Sequence, residues 1–295
     1  MAEAQTTDIR GTESSGAGPA TGIDALEKHI GSTAAKGKVR QRLSAIAYPV
    51  GTAVVLLVLW QLVVDIFDID SYLVPAPLAV VQTLIDEYQT ILDNVGITVV
   101  ETLIGFALSI VVGVPLGLGL AMSRIFEKCF YPLLVGSNAL PKVAIAPLFV
   151  VWFGFGLPPK VFVAFLIAFF PIVINTVVGL SSIEKEKVSL AKSIGLSATQ
   201  TFFKIRLPHA LPVIFGGIKV ASSLAVIGAI VGEFVGADSG LGKLLLNANA
   251  NLQTSLLFAV FVVLTVFSVA LFWAVQVVER ICIPWHSSVR DRATR

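Results

Sequence analysis

The stretch EKEKVSLAKSIGLSATQTFFKIRLPHALP, residues 184–212, lies between two long apolar runs and carries more pattern than a solvated linker needs. Val188, Leu190, Ala191 and Ile194 read as one apolar helical face. Gly195 follows, the residue type that ends a helix in left-handed conformation. Ser197 and Gln200 have the spacing of a capping box. A second short helix is therefore expected from there, with Phe202, Phe203 and Ile205 as its apolar residues and Pro208 as its stop. The expected shape is two short helices bent at Gly195. An apolar surface on the water side of a membrane needs a cover. That cover is either the chain's own helices or a groove on a soluble partner.

On both sides of this stretch the chain is strongly apolar. Of 295 residues, 56% are hydrophobic and 14% charged, against about 25% charge in an ordinary soluble domain; the mean hydropathy is +0.87. A water-soluble globule is excluded. Residues 46–64, 102–123, 161–183 and 256–278 are free of charge and long enough to cross a bilayer at roughly 20 residues per span. Two further runs are interrupted by charge: about 130–153, with Lys142, and about 210–235, with Lys219 and Glu233. The expected fold class is an all-α polytopic membrane protein with six transmembrane helices.

Charge sets the expected orientation. Of the 21 Lys and Arg, all but Lys142, Lys160, Lys219 and Lys243 fall in the N-terminal segment, after the second span, between the fourth and fifth, or beyond the sixth. The 65–94 loop carries Asp65, Asp68, Asp70, Asp86, Glu87 and Asp93 and no base. The positive-inside rule then makes both termini cytoplasmic in a multi-pass protein of the plasma membrane. Residues 1–42, with GTESSGAGPATG at their centre, read as a flexible cytoplasmic tail, 43–285 as the six-span domain, and 286–295 as a second cytoplasmic tail. On the outer side, Leu78, Val81, Leu84, Ile85, Tyr88, Ile91, Leu92 and Val95 predict one amphipathic helix. It either caps the bundle at the interface or docks a partner.

Little in the chain points to catalysis. A net charge of +2 offers no footprint for nucleic acid. Cys129 and Cys282 do not make a disulfide framework, and three scattered histidines do not suggest a metal site. No GxxxxGK[ST] loop is present, so ATP chemistry would need a second polypeptide. No catalytic residue is expected. Intramembrane proteolysis lacks a His in any span and a paired Asp in any span core. An ion-coupled secondary transporter is the alternative, but it leaves the amphipathic 184–208 segment without a use.

Four polar residues are candidates for lining a translocation path. Glu233 lies within Gly228-xxx-Gly232-xxx-Gly236, either as a gating group in a pore or solvated near the outer interface. Asn175 follows Pro171, and Asn138 precedes Pro141, in runs where proline permits irregular helix. Ser222 is the fourth. Interhelical hydrogen bonds or close packing are the competing roles. Lys142 and Lys219 either snorkel to the cytoplasmic interface or attract an anion. The small-residue faces Gly113-xxx-Gly117 and Gly228-xxx-Gly232 offer close-contact surfaces, between copies or within one chain.

The frame Ser189-Leu190-Ala191, three residues, Gly195, nine residues, Ile205-Arg206-Leu207-Pro208 resembles a signature of ABC importer permeases. Their pattern is Glu-Ala-Ala, three residues, Gly, nine residues, Ile-x-Leu-Pro. Ser189 and Leu190 depart from it, and Glu186 stands one turn earlier. PKVAIAPLFVVWFGFGLPPK (141–160), FPIVINTVVG (170–179), YLVPAPLAVVQTL (72–84) and GEFVGADSGLGKLL (232–245) are similar to nitrate, taurine and aliphatic-sulfonate permeases. The same group includes permeases for thiamine-pyrimidine and riboflavin precursors. Many sulfonate-type members carry Arg where this chain has Glu101. The resemblance covers most of 46–282. It implies a type I importer permease that pairs with a second copy of itself and is supplied by an extracytoplasmic substrate-binding protein. It also implies cytoplasmic ATPase subunits that bind ATP and Mg, leaving this chain without a cofactor. Ser189, Leu190, Ala191, Gly195, Phe202, Phe203, Ile205, Leu207 and Pro208 would then form the ATPase-coupling surface. The implied substrate is a small organic solute, either a sulfonate- or taurine-like anion or a vitamin precursor.

Overall fold

The computed structural model describes residues 47–48, 50–138 and 140–285; the tails assigned to 1–42 and 286–295 lie outside them. The chain divides at Leu56 into a small and a large unit. The described residues of the small unit are helical. In chain order the helices are α1 (Val50–Ile66), α2 (Pro77–Asp86), α3 (Tyr88–Met122), α4 (Arg124–Asn138), α5 (Lys142–Phe153), α6 (Leu157–Ser181), α7 (Lys185–Ser193), α8 (Ala198–Thr201), a π-turn (Phe202–Arg206), α9 (Leu207–Gly236), α10 (Leu241–Ala250) and α11 (Thr254–Cys282). Among the described residues there is no strand.

Among the described residues, four helices are long and apolar enough to cross, short of the six expected: α3, α6, residues Ala198–Gly236 including α9, and α11. A fifth span exists if the bent pair Lys128–Ser137 and Lys142–Phe153 is taken as one. The bend of 95° falls beside Pro141. Proline has no N–H to donate and forces the preceding residue away from helical geometry, so the expected third span breaks there. α1 is a shorter apolar helix.

α6 is the central helix of the large unit, with α3 on one side and α9 on the other. Glycines set the spacing. A Cβ on Gly105 of α3 would lie 2.6 Å from the Cβ of Ala164, and one on Gly228 of α9 would lie 2.6 Å from the Cα of the same alanine. Gly117 meets Thr176 and Gly232 meets Lys160 at 2.6 and 2.7 Å in the same way. Backbones approach this closely only where side chains are missing, and in lipid such packing replaces the hydrophobic drive between helices. Both small-residue faces are thus used within one chain. Val111, Val151, Trp152, Trp273 and Ile281 remain exposed around the bundle, as lipid-facing residues do.

Two local expectations are corrected. The amphipathic pattern over 78–95 is not one helix: α2 ends at Asp86, and Ile91, Leu92 and Val95 belong to the first turns of the long α3. Pro208 does not stop the second loop helix. The Leu207 N–H reaches back five residues to the Phe202 carbonyl, and this wider turn leads without interruption into α9, with Pro208 in its first turn. A π-turn and a missing donor are compatible there, because a first-turn N–H needs no helical partner.

Candidate functional site

The 184–212 segment forms a compact helical hairpin at one end of the bundle. α7 closes with two backbone bonds: the Gly195 N–H to the Lys192 carbonyl and the Leu196 N–H to the Ala191 carbonyl, both 3.0 Å. This is the double closure that requires a left-handed residue, and Gly195 supplies φ +81°. α8 begins with the expected reciprocal cap. The Gln200 N–H donates to Ser197 Oγ at 3.2 Å, and the Ser197 N–H donates to Gln200 Oε1 at 2.9 Å.

The expected single apolar face is in fact two. At 100° per residue, Val188 and Ala191 point to one side of α7 and Leu190 and Ile194 to another. Ala191 is 1% exposed and Thr201 is buried, while Phe202 and Leu207 pack half-buried against the main core. Ile205 and Pro208 are half-buried and Ser189 is exposed. Leu190, Ile194 and Phe203 stand in the open at 63%, 67% and 61% exposure. The hairpin is therefore anchored by one set of residues and presents another.

The four path candidates are not brought together. Asn175 is half-buried; its Nδ2 donates to the Pro171 carbonyl at 2.8 Å and its Cβ packs on Gly217 of α9. Ser222 is fully buried, its Oγ donating to the Lys219 carbonyl at 2.7 Å. Asn138 ends α4, and its side chain lies outside the description. Glu233 sits three turns beyond Ser222 on α9, about 16 Å at 1.5 Å per residue. It has no exposed surface, which differs from the solvated alternative.

Glu233 instead belongs to a buried polar centre at the opposite end of the bundle. Thr98 Oγ1 donates to Glu233 Oε1 at 2.6 Å, and the Gly242 N–H donates to Glu233 Oε2. The Leu241 N–H donates to Thr98 Oγ1 at 2.8 Å, and the Gly240 N–H to Asn94 Oδ1 at 2.7 Å. The carboxylate thus meets the otherwise unpaired donors at the start of α10, where negative charge is favoured. Beside it, Lys160 Nζ donates to Glu101 Oε1 at 2.7 Å, with the two side chains 6% and 1% exposed. Lys160, expected in an outer loop, lies in the first turn of α6. A second pair, Lys219 to Glu279 at 2.8 Å, joins α9 to α11 and replaces simple snorkelling of Lys219. Lys142 lies 4.6 Å over the Phe170 ring. Asn94, Thr98, Lys160 and Glu279 were not singled out from the sequence. Lys160 and Glu279 had a signal as charges near the ends of apolar runs, whereas Asn94 and Thr98 had none, and the bonded partners are up to 146 residues apart.

Known proteins match this chain over most of its length. Residues 113–281 match the family described as the binding-protein-dependent transport system inner membrane component. A probable ABC transporter permease of Haemophilus influenzae is 37% identical, covering 75% of this chain and 91% of the relative. The formylaminopyrimidine transport permease of Halalkalibacterium halodurans is 36% identical (78% and 92% covered), and the riboflavin transport system permease of Chloroflexus aurantiacus 37% identical (83% and 91%). The fold is similar to that of a chain of the MetNI methionine ABC transporter in an inward-facing conformation, with TM-score 0.58 and 19% identity over 66% of this chain and 97% of that one. With an all-helical bundle, a family match over more than half its residues and relatives above one-third identity, the chain belongs to the binding-protein-dependent transport system inner membrane components, the permease subunits of ABC importers.

Proposed function

We propose that this chain, through residues 43–285, forms the translocation path of an importer as a pair of identical copies, driven by separate cytoplasmic ATPases and supplied by an extracytoplasmic binding protein. The observation that carries this reading is the 184–208 hairpin. It is rigidly capped and anchored by Ala191, Thr201 and Phe202, yet it leaves Leu190, Ile194 and Phe203 uncovered on the side away from its own core. An ATPase groove is the cover that fits. Ser189, Ala191, Gly195, Ile205, Leu207 and Pro208 hold the shape, and the exposed apolar residues dock. ATP and Mg belong to the partner, and the permease itself performs no chemistry. Asn138, Asn175, Ser222 and Glu233 remain the polar positions proposed to face or shape the path when the bundle opens. The substrate we favour is a small heterocyclic vitamin precursor, because relatives named for formylaminopyrimidine and riboflavin are 36–37% identical.

The deciding experiment is reconstitution in vesicles with the ATPase and the binding protein. ATP-dependent uptake of a labelled pyrimidine precursor or flavin, exceeding uptake of taurine, is the expected result. Uptake by the permease alone, driven by an ion gradient, would instead establish a secondary transporter.

Orientation is tested separately. With Cys129 and Cys282 replaced, a cysteine at Asp86 should react with an impermeant reagent from outside, and one at Ser193 only after the membrane is opened. Both positions are exposed, so access is not limited by packing. Labelling of Ser193→Cys from outside would invert the proposed topology.

A further inference from the structure

Beneath the hairpin, where α3 and α6 end, two cavities of about 410 Å³ each adjoin. Val188, Lys192 and Arg206 line both. Lys185 and Leu180 face one; Met122 and Phe202 give the other an apolar wall. No Asp or Glu lines either of them. Of the two nearby acids, Glu184 pairs with Lys187 at 3.2 Å, and Glu186 is exposed and lines neither cavity. Among the described residues no ion pair involves Lys185, Lys192 or Arg206. The Nε of Arg206 is buried without a hydrogen-bond acceptor. A buried guanidinium N–H without a partner is costly, and three cations around one space repel each other unless an anion enters.

We propose that this cavity binds the phosphate group of an anionic phospholipid. Arginine offers a planar fork matched to phosphate oxygens, and the two lysines add point charges. The apolar wall suits the start of an acyl chain. The level also fits: Met122 and Leu180 lie in the last turns of α3 and α6, where spans give way to headgroups. Basic pockets between helices on the cytoplasmic side are the type of site that holds such headgroups. The proposal concerns a ligand of the permease itself and does not depend on which solute is carried.

The test uses the delipidated full-length chain in detergent, titrated with phosphatidylglycerol, phosphatidylcholine or inorganic phosphate, with bound species counted by native mass spectrometry. Phosphatidylglycerol should bind more tightly than phosphatidylcholine. Each of Lys185→Gln, Lys192→Gln and Arg206→Gln should weaken it roughly fivefold, the worth of one basic residue at a lipid surface. Lys192→Arg should retain binding, and Lys187→Gln, at a residue that lines neither cavity, should change nothing. The two exposed lysines carry the test should Arg206→Gln misfold. Saturable binding of inorganic phosphate with the same sensitivity to the variants, and no preference between the lipids, supports the phosphate chemistry and assigns it to a soluble source. Equal binding of both lipids without phosphate binding, or a loss with Lys187→Gln as large as with Lys192→Gln, overturns the proposal. So does complete loss of the bound lipid when the ATPase docks, which would make an acidic protein side chain the natural occupant.

Discussion

Lys160→Met is expected to destabilise the bundle by about 3–5 kcal/mol, the usual cost of removing one partner from a buried ion pair. The substitution leaves the Glu101 carboxylate 1% exposed and without its only strong donor. Glu101 also stands beside a second buried acid, Glu233, so without Lys160 two carboxyl groups share the site with no cation. Loss of volume is not the cause, because Met fills similar space. The measurement is the midpoint of unfolding in a denaturing detergent, made on both single variants and the double variant. Glu101→Gln combined with Lys160→Met should recover part of the loss, since Glu233 is then the one buried acid left in the site and keeps its bonds from Thr98 and the Gly242 N–H. Additive effects in the cycle would mean that the two residues act independently and that the pair is not what joins α3 to α6.

Gly195→Val is expected to separate ATP hydrolysis from transport. A β-branched residue at φ +81° costs about 1–3 kcal/mol, which lowers the population of the capped bend roughly five- to 150-fold. The effect is confined to the backbone, because a Cβ at Gly195 meets nothing within 4 Å. Gly195→Asn is the control, as asparagine enters the left-handed region with little penalty. Under the proposed coupling role, the valine variant in vesicles shows weak ATPase association or hydrolysis without uptake, while the asparagine variant transports. Solute binding by the external protein is unchanged, since that site is on another chain. Normal coupled uptake by Gly195→Val would remove the hairpin from the mechanism.

The two variants probe features of different legibility. Everything that defines the Gly195 bend lies within a few residues: the closing carbonyls of Ala191 and Lys192, the glycine itself, and the Ser197–Gln200 cap. Local geometry of this kind is written in consecutive sequence, and so the hairpin, its capping box and its left-handed glycine were all readable. The π-turn before Pro208 was not, because a proline in a helical pattern reads as a stop unless the turn before it widens. The split of the apolar face was readable, since 100° per residue already separates Val188 and Ala191 from Leu190 and Ile194, but which pair is covered was decided by the fold.

Apolar composition and the long charge-free runs determined by themselves that this is a helical membrane protein, because backbone in lipid must satisfy its own hydrogen bonds. The frame from Ser189 to Pro208 determined the class of permease it resembles. The glycines announced close helix packing, but only the fold decided that α6 is the helix they grip from both sides. The polar centre also awaited the fold. Glu101 meets Lys160 across 59 positions, and Thr98 meets Glu233 across 135. A charge in an apolar run shows that a partner must exist, since lipid will not hold it unpaired. Which partner it finds depends on how the helices cross, and that is settled by packing over the whole bundle rather than by any stretch of the chain.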